Sequence, residues 1–181
     1  MVYFTSDTHL GHKSILKYRP QFSTRQEHDE AILSLVSKLT KRDDLYILGD
    51  FIFDCPEFED YLKAFSKMPV KIKLVMGNHD SRKLYSQEIA KNIEVQLPLF
   101  SYKNMWVSHC PIIEQELRSR DLNIHGHLHG STINSDRYFN VNLDNNNFKL
   151  VSLDEIKERQ QLVIDSFKDS YAQLSCDDIC S

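Results

Sequence analysis

The chain alternates between short β-prone apolar runs and longer stretches whose apolar residues recur at helical spacing. Val2-Tyr3-Phe4-Thr5 opens the series and ends in Ser6-Asp7. Leu45-Tyr46-Ile47-Leu48 reads as a buried strand running into Gly49-Asp50, and Ile72-Lys73-Leu74-Val75-Met76 as another running into Gly77. Ile93 to Leu97 and Met105 to Ser108 predict two more strands, and Leu122-Asn123-Ile124 leads into His125-Gly126-His127. Tyr138 to Leu143 and Phe148 to Val151 close the strand series. Ala31, Ile32, Leu35, Val36 and Leu39 form a helical stripe. Ser23 or Thr24 is its candidate cap, with Gln26 or Glu27 as the reciprocal partner. Phe58, Leu62 and Phe65 predict a helix that Met68-Pro69 ends. A further helix is expected from Ser81 to Lys91. Leu153, Ile156, Val163, Phe167, Tyr171 and Leu174 predict a long C-terminal helix over about 153–174, with a polar, fraying tail at 175–181.

Strands alternating with helices imply an α/β architecture. No linker, repeat or low-complexity segment interrupts the pattern, so residues 1–181 read as one domain, in line with the chain length. Asn145-Asn146-Asn147 reads as a turn.

Composition narrows the class. With 41% hydrophobic and 27% charged residues the chain is globular rather than disordered. No apolar run reaches the roughly 18 residues of a membrane span, and the first residues lack a secretory pattern. A cytoplasmic protein without a membrane partner is expected. The net charge of −4 provides no basic field, which disfavours stable nucleic-acid binding. Four cysteines without a CxxC pair read as reduced thiols rather than a disulfide frame or zinc ribbon.

Candidate chemistry lies where glycine and histidine coincide. There are only five glycines, Gly11, Gly49, Gly77, Gly126 and Gly130, each beside histidines or acids. Six of the eight histidines share those neighbourhoods; His28 and His109 do not. Five apolar runs end directly in ligand-type residues: Asp7-Thr8-His9, Gly49-Asp50, Gly77-Asn78-His79-Asp80, Ser108-His109 and Gly126-His127-Leu128-His129. In open α/β sheets the functional crevice lies at the carboxyl ends of the strands, so these segments converge on one edge. Carboxylates, imidazoles and one amide oxygen suit Mn²⁺, Fe²⁺ or Zn²⁺. The donors exceed one tetrahedral site and suffice for two ions ~3.5–4 Å apart, an arrangement used for phosphoryl transfer to water. Period-two alternation places both side chains of Asp7-x-His9, and of His127-x-His129, on one side.

These motifs, in this order from Asp7 to His129, resemble those of the calcineurin-like metallophosphoesterases. A tetrapeptide such as Gly77-Asn78-His79-Asp80 arises by chance in about one chain per thousand of this length. Thr5 to His12 and Arg19-Pro20-Gln21-Phe22 resemble a small stand-alone bacterial and phage subgroup. The resemblance implies two packed mixed sheets flanked by helices. It implies two divalent ions, Mn²⁺ first, with Fe, Ni or Zn as alternatives. Asp7, His9, Asp50 and His129 would hold one ion, and Asp50, Asn78, His109 and His127 the other, with Asp50 bridging. A hydroxide bridging the ions would attack phosphorus in line. His79 would bind the phosphoryl group and protonate the leaving oxygen, with Asp80 orienting it. One departure stands out. Many relatives continue the second motif as G-D-x-x-D-R, whereas here Gly49-Asp50 is followed by Phe51-Ile52-Phe53-Asp54, with Phe53 in place of the second acid.

The expected activity is hydrolysis of a small phosphodiester of nucleotide or cyclic-nucleotide type. Phosphomonoesterase and nuclease are the alternatives within the family, and a non-catalytic metal-binding scaffold is the alternative outside it. His12 is weighed equally as a phosphate donor and as a loop-shaping hydrogen-bonder. Lys13, Lys17, Tyr18 and Arg19 are candidates for a basic, stackable rim, against a merely solvated face. A turn role is preferred for Asn142 and Asp144. His125 is assigned to packing or to support of a ligand histidine, Cys110 to a small core position and Trp106 to packing in its strand.

Overall fold

The computed structural model describes residues 1–85 and 92–177, with side chains through 84 and from 92 to 168. Nine strands and three helices are arranged in two sheets among the described residues. The first sheet has the order β4-β3-β2-β1-β9, built from β4 (Ile93–Val95), β3 (Lys71–Val75), β2 (Asp44–Leu48), β1 (Val2–Thr5) and β9 (Val151–Ser152). Only β9 is antiparallel to its neighbour. The second has the order β5-β6-β7-β8, from β5 (Leu99–Tyr102), β6 (Met105–Ser108), β7 (Asn123–His125) and β8 (Tyr138–Asn140). There β5 and β6 form an antiparallel hairpin and the rest is parallel.

Alternation along β2 explains the layering. Leu45 and Ile47 face one core, with Ile32 and Val36 of α1 (Arg25–Ser37) and Phe58, Leu62 and Phe65 of α2 (Phe58–Ser66). Tyr46 and Leu48 face the other way, into a core shared with Met105, Val107 and Ile124 of the second sheet. Leu153, Ile156 and Val163 of α3 (Leu153–Asp177) close that second core. Fully burying each of Phe58, Leu62 and Phe65 contributes about 1.5–3 kcal/mol. The expected α1 cap is present: the Thr24 hydroxyl accepts from the Glu27 N–H at 3.0 Å, and the Glu27 carboxylate accepts from the Ser23 N–H at 2.7 Å.

The structure departs from the sequence reading at several elements. Of the helix expected over Ser81 to Lys91, the described part is a 3₁₀ turn at Arg82–Tyr85; residues 86–91 lie outside the described residues. The strand expected to Leu97 stops at Val95, just before Leu97-Pro98. Strand β5 was not anticipated. It reaches β6 through Lys103 and Asn104, both at positive φ (48° and 64°), the conformation of a two-residue hairpin turn. The C-terminal helix extends to Asp177, and residues 178–181 lie outside the described residues. Among the described residues, no helix is long and apolar enough to cross a membrane.

Candidate metal centre

Parallel β1, β2 and β3 deliver their carboxyl ends to one edge of the first sheet, and parallel β6 and β7 do the same for the second. The two edges are stitched together. Asp7 N–H donates to Gly49 O at 3.0 Å, and His9 N–H to Asp50 O at 2.9 Å. Gly126 N–H donates to His109 O at 2.9 Å, and His127 N–H to the Asp7 carboxylate at 2.9 Å. Gly49 turns with φ of 84°, and a Cβ there would run into the His109 ring and the Gly77 backbone.

The backbone at the candidate ligands is unusual. Asp7, His9, Asp50, His127 and His129 all have φ between 48° and 70°, a region that non-glycine residues rarely occupy. Such conformations cost about 1–3 kcal/mol each and persist where the surroundings over-determine them. They also revise the strand-alternation argument. Both Asp7-x-His9 and His127-x-His129 lie beyond their strands, and it is left-handed backbone, not strand pleat, that turns each pair inward.

The donor atoms form two groups that share Asp50. In the first, His9 Nε2 lies 3.3 Å from His129 Nε2, 3.9 Å from Asp7 Oδ1 and 3.9 Å from Asp50 Oδ2. In the second, His109 Nε2 lies 2.9 Å from Asn78 Oδ1, 3.2 Å from His127 Nδ1 and 3.6 Å from Asp50 Oδ1. Donors sharing one divalent ion at about 2.0–2.2 Å must lie roughly 3–4 Å apart, so both groups have the required spread.

Hydrogen-bond bookkeeping supports the fit. His109 Nδ1 faces Leu48 O at 2.8 Å and must donate to it, which turns Nε2 toward Asn78 Oδ1. His129 Nδ1 faces Asp144 Oδ2 at 3.4 Å, which turns its Nε2 lone pair toward His9. Asp7 Oδ1 is fully buried and has no hydrogen-bond partner. The buried, unpartnered Asp7 Oδ1 and the close approach of Asn78 Oδ1 to His109 Nε2 are features that cations between these side chains would resolve. Burial first, then His129, pushes the His9 pKa down to about 2, so its ring is neutral and free to ligate. Burial pushes the Asp7 carboxyl up, against the pull of Ser6 and the histidines.

Arg19 is not on a rim. It is 1% exposed, and its guanidinium donates to Asp144 at 2.8 and 3.1 Å, to Asp7 O at 2.6 Å and to Thr8 O at 3.2 Å. It also donates to His28 Nε2 at 2.7 Å, while His28 Nδ1 meets Asp29 at 2.7 Å. His28, which lies in no motif, thus braces the first motif from behind through Arg19. Asp144, assigned to a turn by sequence, joins Arg19 to His129. Burial alone would raise its pKa, but the bonds to His129 and Arg19 hold it well below the usual carboxylate range. Asn142 is buried and its side chain accepts from the Asn145 N–H at 2.9 Å, within the turn. Asn145 in turn donates to His129 O at 2.7 Å. Sequence offered only the run of asparagines as a hint of this latch.

Asp80 also departs from expectation. It accepts four backbone N–H bonds: from Gly77 at 2.7 Å, Asp50 at 3.0 Å, Phe51 at 2.6 Å and Ile52 at 3.3 Å. It braces the turns that present Asp50 and Asn78 and makes no hydrogen bond to the His79 ring. Burial raises its pKa, opposed by these N–H groups.

The rim carries the remaining candidates. His79 is exposed, with its N–H donating to Asp50 Oδ1 at 2.8 Å and its ring 5.9 Å from that of His9. His12 is half-buried, its ring also 5.9 Å from His9, and burial, then His79, lowers its pKa. Lys13 and Tyr18 are exposed nearby in the chain. Cys110 is exposed rather than a core residue, and its Sγ lies within 4.8 Å of ligand atoms of His109 and His127. His125 is buried outside the donor groups and donates to Gly126 O at 2.8 Å.

Comparison with known proteins agrees with this fold. The gene 66 protein of Mycobacterium phage L5 is 28% identical, covering 85% of this chain and 91% of its own. An uncharacterized protein of Methanocaldococcus jannaschii is 28% identical, covering 86% and 88%. A crystal structure of a protein of unknown function from Aquifex aeolicus superposes with a TM-score of 0.67 at 31% identity, over 87% of this chain and 98% of that one. The calcineurin-like phosphoesterase family matches residues 1–177. With its two-sheet fold and its paired His/Asp groups at the sheet edges, the chain belongs to the calcineurin-like phosphoesterase family.

Proposed function

We propose that this protein is a dinuclear-metal phosphoesterase that hydrolyses small phosphodiesters of nucleotide or cyclic-nucleotide type. The observation that carries the reading is the pair of donor groups joined at Asp50, whose Oδ2 faces His9 and whose Oδ1 faces His109. Asp7, His9, Asp50 and His129 would hold one divalent ion, and Asp50, Asn78, His109 and His127 the other. When bound, two such ions supply Lewis-acid stabilisation of phosphoryl oxygens and a water acidic enough to attack at neutral pH.

The chain itself supplies orientation and a proton. Asp144 and Leu48 O fix the rings of His129 and His109 so that Nε2 of each points inward. Asp80 holds the β2 and β3 exits together. His79, exposed beside the donors, is the group placed to bind a phosphoryl oxygen and to protonate the departing alkoxide. The net charge of −4 disfavours a long polynucleotide and so favours a small substrate. Lys13, Tyr18 and His12 are the side chains at hand for the rest of the substrate.

The test is hydrolysis of a chromogenic phosphodiester, a phosphomonoester and a panel of cyclic and linear nucleotides by metal-free protein reconstituted with Mn²⁺, Fe²⁺, Ni²⁺, Zn²⁺ or Mg²⁺. Diester turnover that depends on added metal is expected. Faster turnover of monoesters would replace the diester reading with a phosphomonoesterase.

A further inference from the structure

Phe53 stands where many relatives carry a second acid, and it lies among three imidazoles. Its ring centroid is 4.4 Å from that of His12 at an interplanar angle of 15°, and 5.2 Å from that of His79 at 14°. His9 is 5.3 Å away at 47°. Tyr18, 71% exposed, stacks beyond His12 at 6.2 Å and 19°. Tyr18, His12, Phe53 and His79 therefore form one near-parallel series of rings, each spaced as offset-stacked aromatics are.

The two ends of the Phe53–His79 contact differ in freedom. Phe53 is anchored: its N–H donates to Leu10 O at 3.0 Å, Leu10 N–H donates to Phe51 O at 3.0 Å, and Leu10 and Ile52 are fully buried. The His79 side chain is exposed, and among the described residues none hydrogen-bonds its ring. Its chain neighbour Asp80 is fully engaged with four backbone N–H groups. Two fixed rings lie against that of His79: His9, tilted at 59° and 5.9 Å away, and Phe53, the nearer at 5.2 Å and the one parallel to it.

We propose that Phe53 is a positioning residue that sets the ring plane of His79 by stacking, in place of a hydrogen-bonding partner. The inference rests on the reading of His79 as the leaving-group acid. A carboxylate at this position would engage one ring N–H and add a charge. A phenyl face fixes the plane and leaves both ring nitrogens to substrate and solvent.

Two measurements on the metal-loaded protein test this, using wild type, Phe53→Leu, Phe53→Tyr, His79→Ala and the double variant Phe53→Leu/His79→Ala. The first is NMR of the histidine rings in the zinc-loaded form, with His79 signals assigned by their loss in His79→Ala. The His79 ring protons should lie upfield, move downfield in Phe53→Leu and stay upfield in Phe53→Tyr. Unchanged shifts in Phe53→Leu would overturn the placement, whatever His79 does in catalysis. The second is kcat across phosphodiesters of graded leaving-group pKa. Phe53→Leu should lose about tenfold or more on poor leaving groups, a part of the acid's usual worth. It should lose little on good leaving groups, keep its KM, recover as Phe53→Tyr, and cause no further loss when His79 is already alanine. Losses equal across leaving groups, or additive with His79→Ala, would overturn the proposal. If His79→Ala itself shows no leaving-group dependence, the acid assignment falls, and the ring shifts still decide whether Phe53 holds His79.

Discussion

Asp80 and Asp50 clasp each other's turns. Asp80 Oδ2 accepts from the Asp50 N–H at 3.0 Å, and Asp50 Oδ1 accepts from the His79 N–H at 2.8 Å. The β2 and β3 exits are thus locked from both sides, and the acid after His79 serves the backbone. Asp80→Ala would leave several backbone N–H groups without their acceptor, each costing about 1–3 kcal/mol if it stays dry. Urea unfolding should show a loss of that order, with weaker metal retention. The kcat ratio between good and poor leaving groups should stay as in wild type. A ratio like that of His79→Ala would return Asp80 to its expected role as the partner of His79.

Asp50 is the hinge of the metal assignment, because its two oxygens face different donor groups. Asp50→Asn keeps the shape and removes the shared charge. Elemental analysis after gel filtration should find much of the metal lost, and hydrolysis should be nearly abolished. Two retained ions with normal turnover would show that Asp50 does not bridge.

The Arg19–Asp144–His129 chain joins a buried cation to a candidate ligand. Asp144→Asn should weaken metal binding by about 10–100-fold, the usual effect of removing a partner that orients a ligand histidine. Titration against a competing chelator measures this directly. Arg19→Met strips the buried carbonyls of Asp7 and Thr8 of their donor and leaves Asp144 only its contact with His129. A loss of about 3 kcal/mol in urea unfolding is expected, within the range for breaking a buried pair. Wild-type stability and affinity in both variants would reduce the chain to packing.

His79 makes no contribution to either donor group through its ring, so His79→Ala should keep both metals. Turnover should fall by about 10²–10⁴-fold on substrates with poor leaving groups. With a good leaving group, which departs unprotonated, the loss should shrink. Equal losses on both would argue that His79 is not the acid.

Much of this architecture was legible in the sequence. A parallel strand buried on both faces reads as a continuous apolar run, so β2 is recognisable from Leu45-Tyr46-Ile47-Leu48, and β3 from Ile72 to Met76, broken only at Lys73. The ligand-type residues were legible because each directly follows such a run. Strand β5 was missed because Leu99, Phe100 and Tyr102 are only partly covered and its pattern is too short to have a period. Arg19 was misjudged because its burial depends on Asp144, 125 positions away, which no local pattern reports. Asp80 follows His79 in sequence, but its carboxylate turns back into the backbone of the β2 exit, which adjacency does not report. The left-handed backbone at Asp7, His9, Asp50, His127 and His129 was invisible, since none is glycine and sequence gives no sign that tertiary contacts hold them there.

The most direct test of the central claim is the metal-resolved hydrolysis screen, run with Asp50→Asn as the blank. Metal-free protein should be inactive, and reconstitution should restore turnover of a chromogenic phosphodiester to wild type but not to the blank. Silence with every metal, in protein shown to have bound two ions, would contradict the account and point to a metal-bound scaffold whose binding partner must then be found.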